Sequence, residues 1–387
     1  MKRKPMVRLA AASLALALAT AAHGTVLPEE RADAIWKSYN GGGLKVTGPA
    51  MLIRKNFDDK VSVKASYLVD QVTGASIDMV VLGASPLHEE RKQKSLGVDY
   101  LRGKSTYSAG VQSSVENDYD SSTVNVGVSQ DMFGDLTTVS LNVSRGWDIV
   151  TKVIDASRRK DPAFRRRVDR KTWAIGISQI LTRNMIAGFD YEAISEQGYL
   201  QNPYRAIRYL SAPGFYSTAP EIYPGTRTTN AISGRLKYYL PWHASVTGKY
   251  RYFRDTWDIR AQTMEFGYTQ PFFKDSVIGD FTYRHYRQNA ASFYSDLFQV
   301  ANQQNYMARD RELAAQSNNA VGLAMSYDFV KSRHWRIQKA TAALHYDYIM
   351  YHYDNFRDAS QRQLPAGTEP LYKFNAAVVQ VLLSAWF

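Results

Sequence analysis

The chain has 387 residues, with 26 Tyr, 16 Phe and 7 Trp, no cysteine and a formal net charge of +12. The lack of cysteine excludes disulfides, thiolate catalysis, iron–sulfur clusters and c-type haem attachment within the chain. So many aromatic residues at a mean hydropathy of only −0.37 fit one large barrel, whose residues alternate between lipid and a wet interior, better than two soluble domains.

The first element in chain order is an export leader. Lys2, Arg3, Lys4 and Arg8 precede an apolar run from Leu9 to Ala22, too short for a spanning helix and of the length of a secretory signal. Small residues place cleavage after Ala21 or after Gly24, so the reading is a leader over residues 1–24 and a single barrel domain over 25–387. Loss of the four leader cations takes the net charge from +12 to +8. An exported basic protein is expected to meet outer-membrane lipid and lipopolysaccharide phosphates, or an anionic solute, rather than nucleic acid.

From about Ala32 onward the sequence alternates with period two in segments of about ten residues, the length of a tilted membrane-spanning strand. Ser62, Lys64 and Ser66 alternate with Val61, Val63, Ala65 and Tyr67. Thr138, Ser140, Asn142 and Ser144 do so with Val139, Leu141 and Val143, and Ser245, Thr247, Lys249 and Arg251 with Val246, Gly248, Tyr250 and Tyr252. Short connections (Asn56 to Asp59, Gly103 and Lys104, Asp131 to Asp135, Thr182 and Arg183, Pro241 to His243, Pro271 to Lys274, Lys331 to Trp335) alternate with long ones, near 71–94, 115–121, 147–170, 195–228, 256–260, 288–317 and 352–370. That is the habit of outer-membrane barrels, with tight periplasmic turns and extended surface loops. Fifteen segments read directly. An antiparallel sheet closes on an even number, and Ala32 to Asn40, before Gly41-Gly42-Gly43, supplies the sixteenth. The predicted fold is therefore an all-β, transmembrane antiparallel outer-membrane β-barrel of about 16 strands (roughly 14 to 18) in a Gram-negative bacterium. The last strand carries Val379, Val381, Leu383 and Ala385 on one face and ends at Phe387, an aromatic terminus that looks like the signal read by the barrel-assembly machinery.

Three stretches resemble an uncharacterised family of proteobacterial outer-membrane proteins, a domain of unknown function. They are Ser129-Gln130-Asp131-Met132-Phe133-Gly134-Asp135-Leu136-Thr137-Thr138, Arg31-Ala32-Asp33 through Ser38-Tyr39-Asn40-Gly41-Gly42-Gly43, and Gly198-Tyr199-Leu200-Gln201-Asn202-Pro203-Tyr204-Arg205. The resemblance covers most of the chain beyond the leader. It implies, as partners, periplasmic redox or flavin-transferring proteins, and no activity of this chain itself.

Strand parity places Lys64, Asp99, Asn125, Asn142, Asp190, Glu192, Arg235, Lys237, Lys249, Arg251, Glu265, Asp280, Arg284, His345 and Asp347 inside the barrel. Arg235, Lys237, Lys249 and Arg251 form a basic ladder on adjacent strands that could select anions. The competing reading pairs them with Glu265, Asp280 and Asp347 as structural salt bridges. A second basic cluster, Arg158, Arg159, Lys160, Arg165, Arg166, Arg167 and Arg170, falls on the predicted loop 147–170. It is read as a lipopolysaccharide-phosphate site, an inward constriction or a solvated loop. The acidic tip Glu116, Asn117, Asp118 and Asp120 lacks the spacing of a calcium loop and reads as a polar turn. In the longest loop, Tyr199, Asn202, Tyr204 and Arg205 are candidates for a constriction or a ligand contact, with packing on the rim as the alternative.

Catalysis finds no pattern. The seven His have no triad or zinc-protease spacing, and His345 beside Asp347 reads as a lumen pair rather than a dyad. Neither an enzyme nor a cofactor is expected. The features favour a channel for passive passage of small hydrophilic solutes or ions, with a slight lean to anions. The competing reading is a non-conducting scaffold, plugged by its own loops, that docks a partner from a periplasmic redox or protein-modification pathway.

Overall fold

A computed structural model describes residues 26–74, 87–154, 159–330 and 337–387; the predicted leader, the connection Lys331 to Trp335 and Arg158 lie outside them. Sixteen strands close an antiparallel barrel: β1 (Arg31–Gly41), β2 (Leu44–Phe57), β3 (Val61–Gly74), β4 (Leu87–Arg102), β5 (Ser105–Val115), β6 (Tyr119–Met132), β7 (Thr137–Val153), β8 (Lys160–Thr182), β9 (Met185–Gly198), β12 (Thr226–Tyr239), β13 (Ser245–Asp255), β14 (Arg260–Phe272), β15 (Val277–Gln288), β16 (Gln316–Val330), β17 (Lys339–Arg357) and β18 (Leu371–Trp386). The strands β10 (Ala206–Ala212) and β11 (Phe215–Pro220) form a separate hairpin between β9 and β12.

The ring closes where β1 pairs with β18, from Arg31↔Trp386 to Gly41↔Ala376. No strand of the ring is left with an unpaired edge, which is what a sheet in lipid requires. The predicted sixteenth strand thus has the role assigned to it. Its inward Asp33 accepts from Ser384 Oγ at 2.6 Å across the closure.

The outward positions explain the aromatic content. Met51, Leu96, Tyr107, Trp173, Ile175, Phe266, Leu323 and Leu383 are exposed. In water this surface would aggregate; in a bilayer it is the lipid-facing band.

The periplasmic turns repeat one device. Phe133, Gly134 and Asp135 in one turn, and Phe273, Lys274 and Asp275 in another, all have positive φ. Each needs support, because a bulky residue is strained there. Beside them Gln130 and Gln270 donate Nε2 to the carbonyls of Asp131 and Pro271 at 2.8 and 3.0 Å, and Gln179 does the same for Ile180 at 3.1 Å. The Ser129-Gln130-Asp131 stretch is therefore one copy of a turn brace. At the same end, Lys55 Nζ lies 5.5 Å above the ring of Phe387.

Two predicted loops prove to be largely strand over their described residues. Instead of leaving the sheet at 147, β7 runs to Val153 and β8 begins at Lys160, with Thr151↔Arg165 and Val153↔Lys160 in register. Above the bilayer a strand no longer needs lipid-facing apolar residues, so its pattern reads as loop although its backbone pairing continues. Likewise β3 continues to Gly74 and β4 starts at Leu87.

Candidate functional site: a polar bore under a roof of loops

The residues assigned to the interior by parity all lie on the inward face, opposite in parity to the exposed apolar band. The ladder runs inward along neighbouring strands in the registers Arg235↔Lys249 and Ser233↔Arg251. Lys237 is nearest the periplasmic turn and Arg251 highest. The predicted pairing with Glu265, Asp280 and Asp347 does not form. Arg251 instead reaches Glu192 of β9 at 3.2 Å, and Asp280 accepts from Thr269 Oγ1 at 2.5 Å. Glu265 sits in register between Lys249 and Arg284 without an ion pair to either. Among the described residues Arg235, Lys237 and Lys249 make no ion pair, and all three are exposed although they face inward. Water therefore reaches their level of the bore, and solvation replaces a counter-ion.

A second feature of the wall is not legible from charge alone. Lys64, Asn125, Asn142, Asp190, Arg235 and Asp347 each stand in register with a glycine on the neighbouring strand: Gly97, Gly110, Gly127, Gly176, Gly188 and Gly322. A Cβ on Gly127 would meet Asn142 Oδ1 at 2.2 Å, and one on Gly110 would meet Asn125 Oδ1 at 2.6 Å. The polar side chains thus lie along the wall over a missing side chain on the neighbouring strand. Gly127→Val is expected to swing Asn142 and Ser108 toward the axis, lowering conductance of the purified barrel while shifting its stability by no more than ~1 kcal/mol, the span of strand propensity. Unchanged conductance would refute this role.

The walls differ. Strands β4 to β7 present Ser95, Ser108, Gln112, Asn125, Asn142 and Ser144 inward, whereas β16 to β18 present Ala320, Ile349, Ala376 and Val378, packed with Tyr39, Tyr351 and Phe374. His345 and Asp347 share the inward face with no hydrogen bond between them. Among the described residues no three His, Asp or Glu side chains are placed to hold a metal ion.

Over the outer mouth the segments 199–225, 289–315 and 358–370 pack into a small domain of their own. Arg208, 1% exposed, donates Nη2 to Asp296 and Nη1 to Glu369, both at 2.6 Å. Arg309 reaches the same Asp296 at 2.9 Å, and Arg205 reaches Asp310 at 2.6 Å. Backbone bonds join the segments too, between Leu210 and Phe298 and between Ile222 and Met307. Beneath them Tyr223, Trp257, Ile259, Phe293 and Leu313 form an apolar core, with Tyr223 and Trp257 edge to face at 5.5 Å. A loop of this length survives as ordered structure because it acquires a core and a paired hairpin.

The residues singled out in the longest loop belong to this roof. Asn202 Oδ1 accepts from Tyr204 N at 2.9 Å, an Asx turn that sets the direction of the next residue. The Tyr204 hydroxyl then accepts from Val153 N at 2.7 Å, tying the roof to the tip of β7. Tyr199 stacks edge to face on Phe164 of β8 at 5.4 Å. The Asn202-Pro203-Tyr204-Arg205 motif is therefore a strap across the mouth, held at β7 by Tyr204 and at segment 289–315 by Arg205. Of the basic cluster, Arg166 and Arg170 face inward, Arg170 pairing with Glu196 at 2.9 Å, whereas Arg165 and Arg167 face outward. Lys160 lies 3.6 Å from Asp120. Around the acidic tip, Glu116 N donates to Tyr119 O and Asp118 O accepts from Thr151 N, as in a polar turn.

Glu221 is the electrostatic weak point of the roof. It is fully buried, accepting from Arg309 N at 2.7 Å and Tyr223 Oη at 2.9 Å. Burial first, and then the facing Asp310 carboxylate, push it up to about 8. A carboxyl raised in the folded state from 4.5 contributes stability that is complete below pH 4.5 and lost as pH rises through about 8. Amide exchange in segments 199–225 and 289–315 is expected to quicken across that window, and Glu221→Gln to flatten the dependence. A pH-independent wild type would contradict the assignment.

A closed sixteen-strand ring, a lipid-facing apolar band, a hydrated inner wall and short turns at the end where β1 begins and β18 finishes define a bacterial outer-membrane β-barrel of porin-like build. Within that class the chain belongs to the family described as Protein of unknown function (DUF3570), which it matches over residues 78–345. No curated protein matches it. Among solved structures it is similar to a bacterial polysaccharide outer membrane secretin, at 8% identity and TM-score 0.52 over 93% of this chain and 99% of that one. It is also similar to the outer membrane protein opdK from Pseudomonas aeruginosa, at 8% and 0.43 over 92% and 99%. A third is the siderophore receptor PirA from Pseudomonas aeruginosa, at 10% and 0.44 over 92% and 63%. At such identities the likeness is one of fold.

Proposed function

We propose that this barrel is a channel for passive passage of small hydrophilic solutes or ions, with a lean to anions, and that its loop roof sets access from outside. The observation that carries this reading is the exposure of the inward-facing, unpaired Arg235, Lys237 and Lys249. Cations would not be left unpaired in a dry bore, and in a wet one they raise the local concentration of anions. The bore chemistry speaks for passage rather than catalysis.

The roof favours a second reading: a barrel closed by its own loops that serves as a scaffold for a partner from a periplasmic redox or protein-modification pathway. Swelling of liposomes loaded with the refolded protein separates the two. Entry of small neutral sugars and faster entry of small carboxylates of equal size support the channel. Exclusion of both by a folded barrel supports the scaffold.

A further inference from the structure

The outer wall carries like charges in direct opposition that the protein does not itself neutralise. On β7 and β8, Arg145 and Lys171 are register partners with outward side chains. Arg167 and Arg165 follow on the same face, against a single acid, Asp169, which reaches Arg145 at 3.7 Å. Arg165, Arg167 and Lys171 make no ion pair among the described residues. A second patch repeats this elsewhere on the ring. Arg254 of β13 faces Arg260 of β14 in register, Arg287 lies beside them on β15, and none of the three makes an ion pair. Asp255, next to Arg254 in sequence, is buried and held by Arg227 at 2.6 Å, and Asp258 is exposed in the connecting loop.

Like charges directly opposed weaken a sheet, so an anion that binds both would be stabilising. The height of the two patches indicates which anion. Both lie outside the bore, on the parity of the lipid-facing band and at its upper aromatic edge: Trp173 precedes Lys171 on the way up β8, Arg145 lies 5.2 Å from the ring of Trp147 just above it, Tyr252 precedes Arg254, and Tyr283 precedes Arg287. This is where the charged headgroups of the outer leaflet begin. Arginine forks grip phosphate in a bidentate manner, and long cationic side chains reach along apolar surface to headgroup level. The inward Arg170 of the same strand, by contrast, is satisfied by Glu196, so the outward charge is not just the overflow of an arginine run.

We infer that these two patches bind the phosphate groups of the phosphorylated saccharide lipid of the outer leaflet. The test uses the full-length refolded barrel in detergent, titrated with bis-phosphorylated lipid A or its dephosphorylated counterpart, with bound lipid counted by native mass spectrometry. The phosphorylated form should bind on the order of tenfold more tightly or better. The triple substitutions Arg145→Gln, Arg167→Gln, Lys171→Gln and Arg254→Gln, Arg260→Gln, Arg287→Gln should each reduce that preference severalfold, and the inward Arg166→Gln should not. Equal binding of the two lipids by the wild type overturns the proposal, and needs no variant to fold. Unchanged preference in one folded triple variant removes that patch from it, and unchanged preference in both overturns it.

Discussion

Replacing Arg208 by alanine is expected to release the roof from the mouth while leaving the barrel intact. The guanidinium is buried and holds two acids from different segments, Asp296 and Glu369, at 2.6 Å each. Asp296 keeps Arg309 in the variant, but Glu369 loses its charged partner in a buried setting, with Gly367 N as its remaining donor. Breaking one side of such a pair costs about 3 kcal/mol or more. That raises the open fraction of the roof on the order of a hundredfold. The sixteen-strand ladder takes no part in the pair, so heat-modifiable migration of the folded barrel should persist. Protease cleavage within residues 199–225 and amide exchange there should rise steeply. Arg208→Lys, which keeps a charge but not the two-armed fork, should fall between. A roof as protected as in the wild type would show that the apolar core around Tyr223 and Trp257, not the ion network, holds it down.

The second large effect concerns selectivity. The substitutions Arg235→Gln, Lys237→Gln and Lys249→Gln remove the three cations without a counter-ion and spare the Arg251–Glu192 pair. In a wet bore a unit charge acts on a passing ion ~8 Å away with about 0.5 kcal/mol. Losing three, each acting with opposite sign on anion and cation, should lower the anion-to-cation permeability ratio by between about tenfold and a hundredfold at low salt, and less at high salt as screening sets in. Reversal potentials across a salt gradient give this ratio directly. An unchanged ratio would mean that ions pass elsewhere, or that Asp190, Glu265 and Asp347 balance the ladder.

Much of the wall was legible because a strand in lipid has period two, and lipid tolerates charge on one face only. Lys64, Asn142, Arg235 and Arg251 could be turned inward from their Val, Leu and Tyr neighbours alone. The even strand count followed from closure. What escaped obeys other constraints. The upper parts of β7 and β8 rise past the apolar band, where Arg165 and Arg167 can face headgroups or water, so alternation stops marking the strand. The hairpin of β10 and β11 lies in the roof, outside the lipid pattern altogether. Arg208 meets Glu369 across 161 positions and Asp296 across 88, a separation that leaves no local signature. The glycines opposite the lumen side chains carried a signal that could have been used. Gly110, Gly127 and Gly176 all occur at inward parity, where strands otherwise disfavour glycine, and each marks a place where a neighbour's polar group lies down.

The most direct test of the bore itself is single-channel recording of the refolded wild type in planar bilayers, alongside the Arg208→Ala variant. Discrete conductance steps are expected in the wild type, with longer or larger openings once the roof is released. A barrel that migrates as folded and passes no current, with or without its roof, would contradict the channel reading and leave the scaffold reading in its place.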